Sequence, residues 1–269
     1  MKNKTNEKLE RLQNFLKKMD KVIVAYSGGT DSTFLLKVAH DALGKNAVAV
    51  TAVSDTYPKQ ELDHTKKQAK KIGAKHIIIK SDEVKNKNFS KNTPKRCYFC
   101  KKELYSKIKD LAAAKNIRYI LDGTNVDDGK DYRPGVKALA KHGVKSPLKD
   151  VKLTKDEIRQ LSRKMGLDTW NKPAQACLAS RFPYGTKITR KRLKQVELAE
   201  SFLSGLGLDQ IRVRHHDDIA RIEVKKDDFK EVLKNAKRIS QQFKKLGFSY
   251  ITLDIEGYRT GSLNEVIKK

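Results

Sequence analysis

The segment Ser27-Gly28-Gly29-Thr30-Asp31-Ser32 has the residue types and spacing of a phosphate site. It lies between an apolar stretch, KVIVAYSG at 21–28, and a run of helical periodicity over 31–43. Adjacent glycines let the backbone turn tightly and leave amides exposed. A following helix adds unpaired N–H groups and the positive end of its dipole. The hydroxyls of Ser27, Thr30 and Ser32 can add donors. Such a loop suits phosphate or pyrophosphate. It is not G-x-x-x-x-G-K-[ST], because no lysine follows the glycines, and it is not G-x-G-x-x-G. The plain alternative is an ordinary glycine turn, but strand, motif and helix occur in the order a phosphate site requires.

The chain has three cysteines, Cys97, Cys100 and Cys177. An odd number in a lysine-rich chain does not read as a disulfide framework. Cys97 and Cys100 form C-x-x-C just ahead of a helical stretch, a pair that can bind metal, cycle as a redox disulfide or sit unused. A structural zinc takes four ligands. His215-His216 are candidates for the fourth, but they belong to a strand far along the chain. Three cysteines and one open iron position suit a [4Fe–4S] cluster, whose open iron can take an extra sulfide or a substrate atom. Cys177 stands in KPAQACLASRFPYG, where Arg181 and Lys172 can favour its thiolate, a nucleophile and an iron ligand alike. A small buried cysteine between alanines is the plain alternative.

The elements that must hold these residues alternate. Further strands read at 46–53, 76–80 and 117–121, with helices at 31–43, 59–72 and 101–114; Gly44 and Gly73 stop the first two helices. That alternation implies a mostly parallel sheet with right-handed crossovers and helices on both faces. Ligands of such sheets bind beyond the C-terminal strand ends. There, Asp55 follows the second strand and Asp122, Gly123, Thr124 and Asn125 follow the fourth. Gly123 permits close backbone approach, and Thr124 and Asn125 can bind nucleotide, although these residue types are also common turn caps. Residues 126–150 are turn-rich and read as an active-site loop or lid. A helix over 154–165 opens on the capping box Thr154-x-x-Glu157.

From about Arg181 the order becomes helix 189–204 with Thr189 as cap, strands 209–215 and 219–224, helix 227–245 and strand 248–254. The expected division is 1–180 for the α/β domain and 181–269 for a smaller C-terminal α+β domain. Arg212 and Arg214 alternate with Ile211 and Val213, so both face one side of their strand. That makes an anion patch, with pairing to Glu223 as the alternative.

The formal charge is +27, with 38% hydrophobic residues, enough apolar material for a core. Lysines outnumber arginines and spread along the chain, which serves solubility as readily as binding of a polyanion. No apolar run reaches the roughly 18 residues of a membrane span. The polar start MKNKTNEKLE lacks a secretory signal, so the expected location is the cytoplasm.

S-G-G-x-D-S resembles the signature of the PP-loop ATP pyrophosphatase (adenine nucleotide alpha hydrolase-like) superfamily. PAQACLASRFPYG resembles the hallmark segment of the LarE family of sulfur transferases, and DGTNVDDGKDYRPG, VRHHDDIARIEV and LDIEGYRTGSLNE are similar to further family segments. Together they cover about residues 20–265, nearly the whole chain. The resemblance implies that ATP adenylates the carboxylates of pyridinium-3,5-biscarboxylic acid mononucleotide and that sulfur displaces AMP. The product is the bis-thiocarboxylic acid mononucleotide of the nickel-pincer cofactor of lactate racemase. It implies ATP and Mg2+ as cofactors, with Asp31 placing the metal, although an aspartate at a helix start is favoured by the dipole alone. In single-cysteine members the cysteine at the Cys177 position is sacrificed to dehydroalanine. Three-cysteine members hold a [4Fe–4S] cluster, the type that Cys97, Cys100 and Cys177 match. Arg133, in DYRPG, offers its fork to substrate carboxylate or phosphate; Arg181 can do the same. Glu200 resembles a position near an intersubunit metal site, and Tyr258 and Arg259 resemble family structural or substrate residues. A homo-oligomer, hexameric by resemblance, and sulfide or a cellular sulfur donor complete the expected partners. Two other readings are a PP-loop tRNA thiolation enzyme, which the charge would help, and a non-catalytic anion-binding scaffold. The DYRPG and ACLASRFPYG segments argue for the small-molecule enzyme.

Overall fold

A computed structural model of the chain describes residues 2–130, 142–173 and 176–266. It forms two compact units, Met1–Glu83 with Cys97–Gln175, and Val84–Arg96 with Ala176–Lys269. The first unit carries four parallel strands, β1 (Val22–Ala25), β2 (Ala47–Val53), β3 (Lys75–Lys80) and β4 (Tyr119–Leu121), in the order β3-β2-β1-β4. β1 is buried on both faces, which is why it reads as continuously apolar. Val22 and Val24 join a core with Leu12, Phe34, Val38 and Leu161. Ile23 points the other way, to Val48, Val50, Tyr105, Ile108 and Ile120.

Helix α1 (Lys2–Lys17) was not anticipated, because its charged residues mask a Leu9, Leu12, Leu16 stripe that buries Leu12 and Leu16 completely. α2 (Thr30–Leu43) and α3 (Lys59–Ile72) lie as expected. The short α4 (Lys87–Ser90) belongs to the second unit. α5 (Arg96–Ala114) begins earlier than residue 101, so Cys97 and Cys100 lie within its first turn and not ahead of it. The helix starts early because Arg96 closes a turn onto the Thr93 carbonyl and is held there by its buried guanidinium, which donates to Asn92 and to the Ala179 carbonyl. After α6 (Pro147–Asp150), α7 (Lys155–Lys164) opens on the expected capping box.

That box also anchors α1. Lys8 Nζ lies 2.7 Å from Glu157, whose carboxylate accepts from the Thr154 amide at 2.9 Å. Partial burial pushes the Glu157 carboxyl up, but Lys8 and Thr154 outweigh it and hold it below the ordinary value. A depressed carboxyl stabilises the fold above its unfolded pKa, and that stability disappears as pH falls through the folded value. Glu157→Ala is therefore expected to lose about 1–2 kcal/mol at pH 7. Urea unfolding should show the gap from wild type closing below about pH 4.

The second unit has β5 (Arg212–His216), β6 (Ile219–Glu223) and β7 (Tyr250–Leu253), antiparallel then parallel in the order β5-β6-β7. α8 (Arg190–Ser204), capped by Thr189, and α10 (Ala236–Lys245) supply Leu203, Ile239 and Phe243 to a core with Val213, Ile222 and Phe248. The single helix expected over 227–245 is two, α9 (Phe229–Lys234) and α10. Asn235 breaks it: its side-chain amide donates back to the Glu231 carbonyl at 2.9 Å and carboxylate at 2.6 Å. No described helix is long and apolar enough to cross a membrane.

Candidate active site

β1 and β4 are neighbours, yet the chain leaves β1 for β2 on its other side, so the strand order reverses between β1 and β4. A parallel sheet opens its ligand crevice at that switch point. Both candidate segments emerge there, 27–32 after β1 and 122–125 after β4. Gly28 has φ 71°, in the left-handed region, and a Cβ on it would lie 2.3 Å from Thr65 Oγ1. A Cβ on Gly123 would lie 3.0 Å from the Ser32 amide nitrogen, so β4's loop packs directly on the start of α2. The first amides of α2 have no carbonyl one turn back and face the crevice end of the sheet.

Ser27 and Ser32 place their hydroxyl oxygens 3.1 Å apart at the loop. Thr30 turns inward and donates to the Thr169 carbonyl at 2.7 Å. Asp31 lies in the first turn of α2. Tyr57 supports the loop by donating to the Ser27 carbonyl at 2.9 Å, with its oxygen 2.8 Å from Thr65 Oγ1. Burial raises the Tyr57 phenol above its ordinary value. Asp55 is exposed; its neighbours Ser54 and Thr56 each donate to buried Glu83 at 2.6 Å, which fixes the loop after β2.

Asp122 accepts from Thr124 Oγ1 and from Ser146 Oγ, each at 2.6 Å. Asn125 is fully buried and accepts the amides of Asp127 and Asp128, leaving its Nδ2 without a partner among the described residues. On α5, Lys101 Nζ sits 5.5 Å from the Tyr105 ring centroid. Tyr105 and, more weakly, Asp122 hold the Lys101 ammonium above its ordinary value, while burial pushes the Tyr105 phenol up to about 12. Cys97 is exposed and Cys100 half-buried, three residues apart on one helix and so on one face. Cys177 is exposed and precedes a short 3-10 turn, Leu178–Arg181. None of the three is in a disulfide.

Residues 21–119 match the family model of the arginosuccinate synthase N-terminal HUP domain. An uncharacterized protein of Synechocystis sp. is 45% identical, covering 97% of this chain and 98% of its own. The pyridinium-3,5-bisthiocarboxylic acid mononucleotide synthase of Lactiplantibacillus plantarum is 40% identical, covering 94% of this chain and 92% of its own. The chain belongs to the LarE-type family of PP-loop ATP pyrophosphatases. An uncharacterized protein of Methanocaldococcus jannaschii is 31% identical over 94% of this chain and 98% of its own.

In this LarE-type chain the second unit gathers arginines around the Cys177 turn. Arg181 is 1% exposed and grips Glu200 with two bonds of 2.8 and 2.9 Å. Its remaining arm donates to the Ala176 carbonyl and Ser180 Oγ, at 3.0 and 2.8 Å. Glu200 also accepts the Val213 amide at 2.8 Å, so α8, β5 and the turn share one ion pair. Arg214 forks onto Glu223 at 2.9 and 2.8 Å and reaches the Ser180 carbonyl at 2.8 Å; pairing with Glu223, the alternative to an anion patch, is therefore present. Arg212 lies 5.3 Å from the Tyr258 ring centroid; burial and the nearby Arg181 lower its pKa. Arg133 lies outside the described residues. His215 packs between Phe182 and Phe248 as a core side chain.

Tyr57, Glu61 and Thr65, which support the loop, and the Lys101–Tyr105 pair went unread in the sequence, as did the place of Lys172 at the loop. Tyr57 had a signal, its place just beyond a strand end. The Lys172 ammonium goes to Glu61 at 2.7 Å. Among the described residues no three His, Cys, Asp or Glu side chains form a metal-holding group.

Removing Arg181 strands Glu200 beside buried backbone. Arg181→Met is expected to cost about 3–5 kcal/mol of stability. Denaturant unfolding checks it, and Glu200→Gln should recover part of the loss in the double variant.

Proposed function

We propose that this chain is an ATP-dependent sulfurtransferase that converts pyridinium-3,5-biscarboxylic acid mononucleotide to the bis-thiocarboxylic acid mononucleotide for nickel-pincer cofactor synthesis. The observation that carries the reading is 40% identity to the named synthase over 94% of the chain. A phosphate loop at the switch point of a parallel sheet supports it.

A ring carboxylate oxygen attacks the α-phosphorus of ATP, the bond to the β-phosphate breaks, and pyrophosphate leaves onto the amides of the loop and α2. Adenylation converts a poor electrophile into a reactive acyl group. A sulfur nucleophile then forms a carbon–sulfur bond, and AMP departs with the carboxylate oxygen. Two rounds consume two ATP. Ser27, Gly28, Gly29 and Ser32, with the Thr30 amide, form the pyrophosphate cradle, the Thr30 hydroxyl being given to the Thr169 carbonyl. Asp31 would hold Mg2+, which neutralises phosphate charge. Asp55 and Gly123-Thr124-Asn125 frame the nucleotide, and Arg133 and Arg212 the substrate anions, Arg214 being committed to Glu223.

Three thiols outside disulfides, two of them one helical turn apart, are the chemistry that a [4Fe–4S] cluster takes. Cys97, Cys100 and Cys177 would hold it, and the group supplies an open iron position able to carry sulfide. The competing sulfur route uses Cys177 alone. Its thiolate attacks the acyl adenylate, and loss of its Cβ–S bond with an α-proton leaves dehydroalanine. We place the enzyme in the cytoplasm as a homo-oligomer, fed by sulfide or a cellular sulfur donor.

The test incubates anaerobically prepared protein with ATP, Mg2+, sulfide and the biscarboxylate mononucleotide, and weighs small molecules and intact protein together. Oxygen-for-sulfur exchange with AMP formed and Cys177 retained supports the cluster route. The same product with a protein mass loss of about 34 Da marks the sacrificial route. No thiolated product from cluster-loaded protein would overturn the substrate and turn attention to tRNA.

A further inference from the structure

The phosphate loop carries no lysine of its own, yet a lysine from 144 residues further along reaches it. Lys172 Nζ lies 3.3 Å from the Gly28 carbonyl oxygen and 2.7 Å from Glu61 Oε2. The two side chains are only 13% and 17% exposed, unlike the solvated surface pairs that contribute little. Their placement is built. Thr30 of the loop donates to the Thr169 carbonyl at 2.7 Å, and Arg159 Nη2 donates to the Lys172 carbonyl at 3.4 Å. The backbone over 169–172 is thus tied to the loop at Thr169 and to α7 at Lys172. Asp168, the other nearby carboxylate, is engaged by Lys71 at 2.8 Å.

An ammonium has three donors and moves as a point charge. Phosphate oxygens are stronger acceptors than a carbonyl and carry more charge than one carboxylate. We propose that Lys172 is a ligand for the terminal phosphates of ATP and for the departing pyrophosphate, with Glu61 as its exchangeable counter-ion. Glu61 holds the ammonium at the loop and yields it when phosphate is seated. Lys172 so fills the role of the lysine that mononucleotide loops carry inside their motif. The inference rests on the ATP-cleaving reading and adds an opposing partner to it: Glu61 competes with phosphate for the cation. AMP has no β- or γ-phosphate and gains from neither residue.

Calorimetric titration of the full chain with ATP, pyrophosphate and AMP, in the presence of Mg2+, tests this on wild type, Lys172→Met, Glu61→Gln and the double variant. Lys172→Met should weaken ATP and pyrophosphate about tenfold, or about 1.4 kcal/mol, and leave AMP within about twofold. Glu61→Gln should tighten ATP and pyrophosphate about threefold or more, a gain that misfolding cannot produce. In the Lys172→Met background it should change nothing. If Glu61→Gln weakens ATP as Lys172→Met does, or if Lys172→Met weakens AMP as much as ATP, the pair is a structural clamp and the proposal fails. A wild-type chain that binds neither ATP nor pyrophosphate sinks the ATP-cleaving reading as well. Binding by wild type with the wrong variant pattern sinks only the assignment to Lys172 and Glu61.

Discussion

Cys177→Ala is expected to yield no thiolated product while ATP is still cleaved to pyrophosphate and the acyl adenylate. The two half-reactions use different atoms. Adenylation needs the phosphate loop, Mg2+ and the substrate carboxylate, all independent of a thiol. Sulfur transfer needs Cys177 on either route, as donor or as cluster ligand. The drop in product should be about 10³-fold or more, the scale of losing a nucleophile outright. Alanine suits the exposed position, where Cys177 precedes a short turn and adds little to a core. A pyrophosphate assay and mass spectrometry of the mononucleotide and its adenylate, run on one reaction, read the two halves separately. Cys97→Ala and Cys100→Ala then divide the routes. Cluster-borne sulfur requires both thiols, and product should fall as far as with Cys177→Ala. A sacrificed Cys177 requires neither, and one equivalent of sulfur per chain should still transfer. Loss of pyrophosphate release in Cys177→Ala would contradict the separation of the two steps.

Gly28→Ala should instead stop the first half-reaction. Alanine at φ 71° is strained by about 1–2 kcal/mol. Its Cβ would also stand 2.3 Å from Thr65 Oγ1, so loop or threonine must move. Thr65 has little freedom, because it donates to the Glu61 carbonyl at 2.6 Å and lies 2.8 Å from the Tyr57 hydroxyl. The loop therefore shifts, and a displacement of about 1 Å at a positioned reactant costs about 10²-fold in rate. AMP formation should fall by about that factor, with ATP binding weakened in parallel. Thr65→Ala in the same chain removes the clash but not the strained φ, so it should restore part of the rate. Full activity in Gly28→Ala would mean the loop does not seat phosphate in this conformation.

Much of the frame was legible because its physics is local. β1 reads as apolar because both faces are covered, and SGGTDS must turn because glycines are adjacent. Thr154 and Glu157 cap α7 because the box needs only four residues. The turn at Asp122–Asn125 was likewise open to both readings, site and cap, and its side chains do form turn bonds. What was illegible depends on partners distant in sequence. Residues 84–96 join the second unit because Asn92 donates to the Phe182 and Pro183 carbonyls at 3.2 and 2.7 Å. Nothing in that stretch names a partner some ninety positions on. The same holds for Arg181, whose carboxylate lies on α8, and for Lys172, whose neighbours Gly28 and Glu61 come from the other end of the α/β unit.

The sequence by itself determined the family, the strand–helix alternation of the parallel sheet, the phosphate loop and the three thiols, since each is carried by adjacent residues or a short period. Only the tertiary structure decided which charges are committed. Arg181 and Arg214 are locked to Glu200 and Glu223, while Lys172 is brought to the loop in place of the lysine its motif lacks. The physical reason is that an ion pair is set by where packing delivers two side chains, and spacing along the chain does not encode that distance.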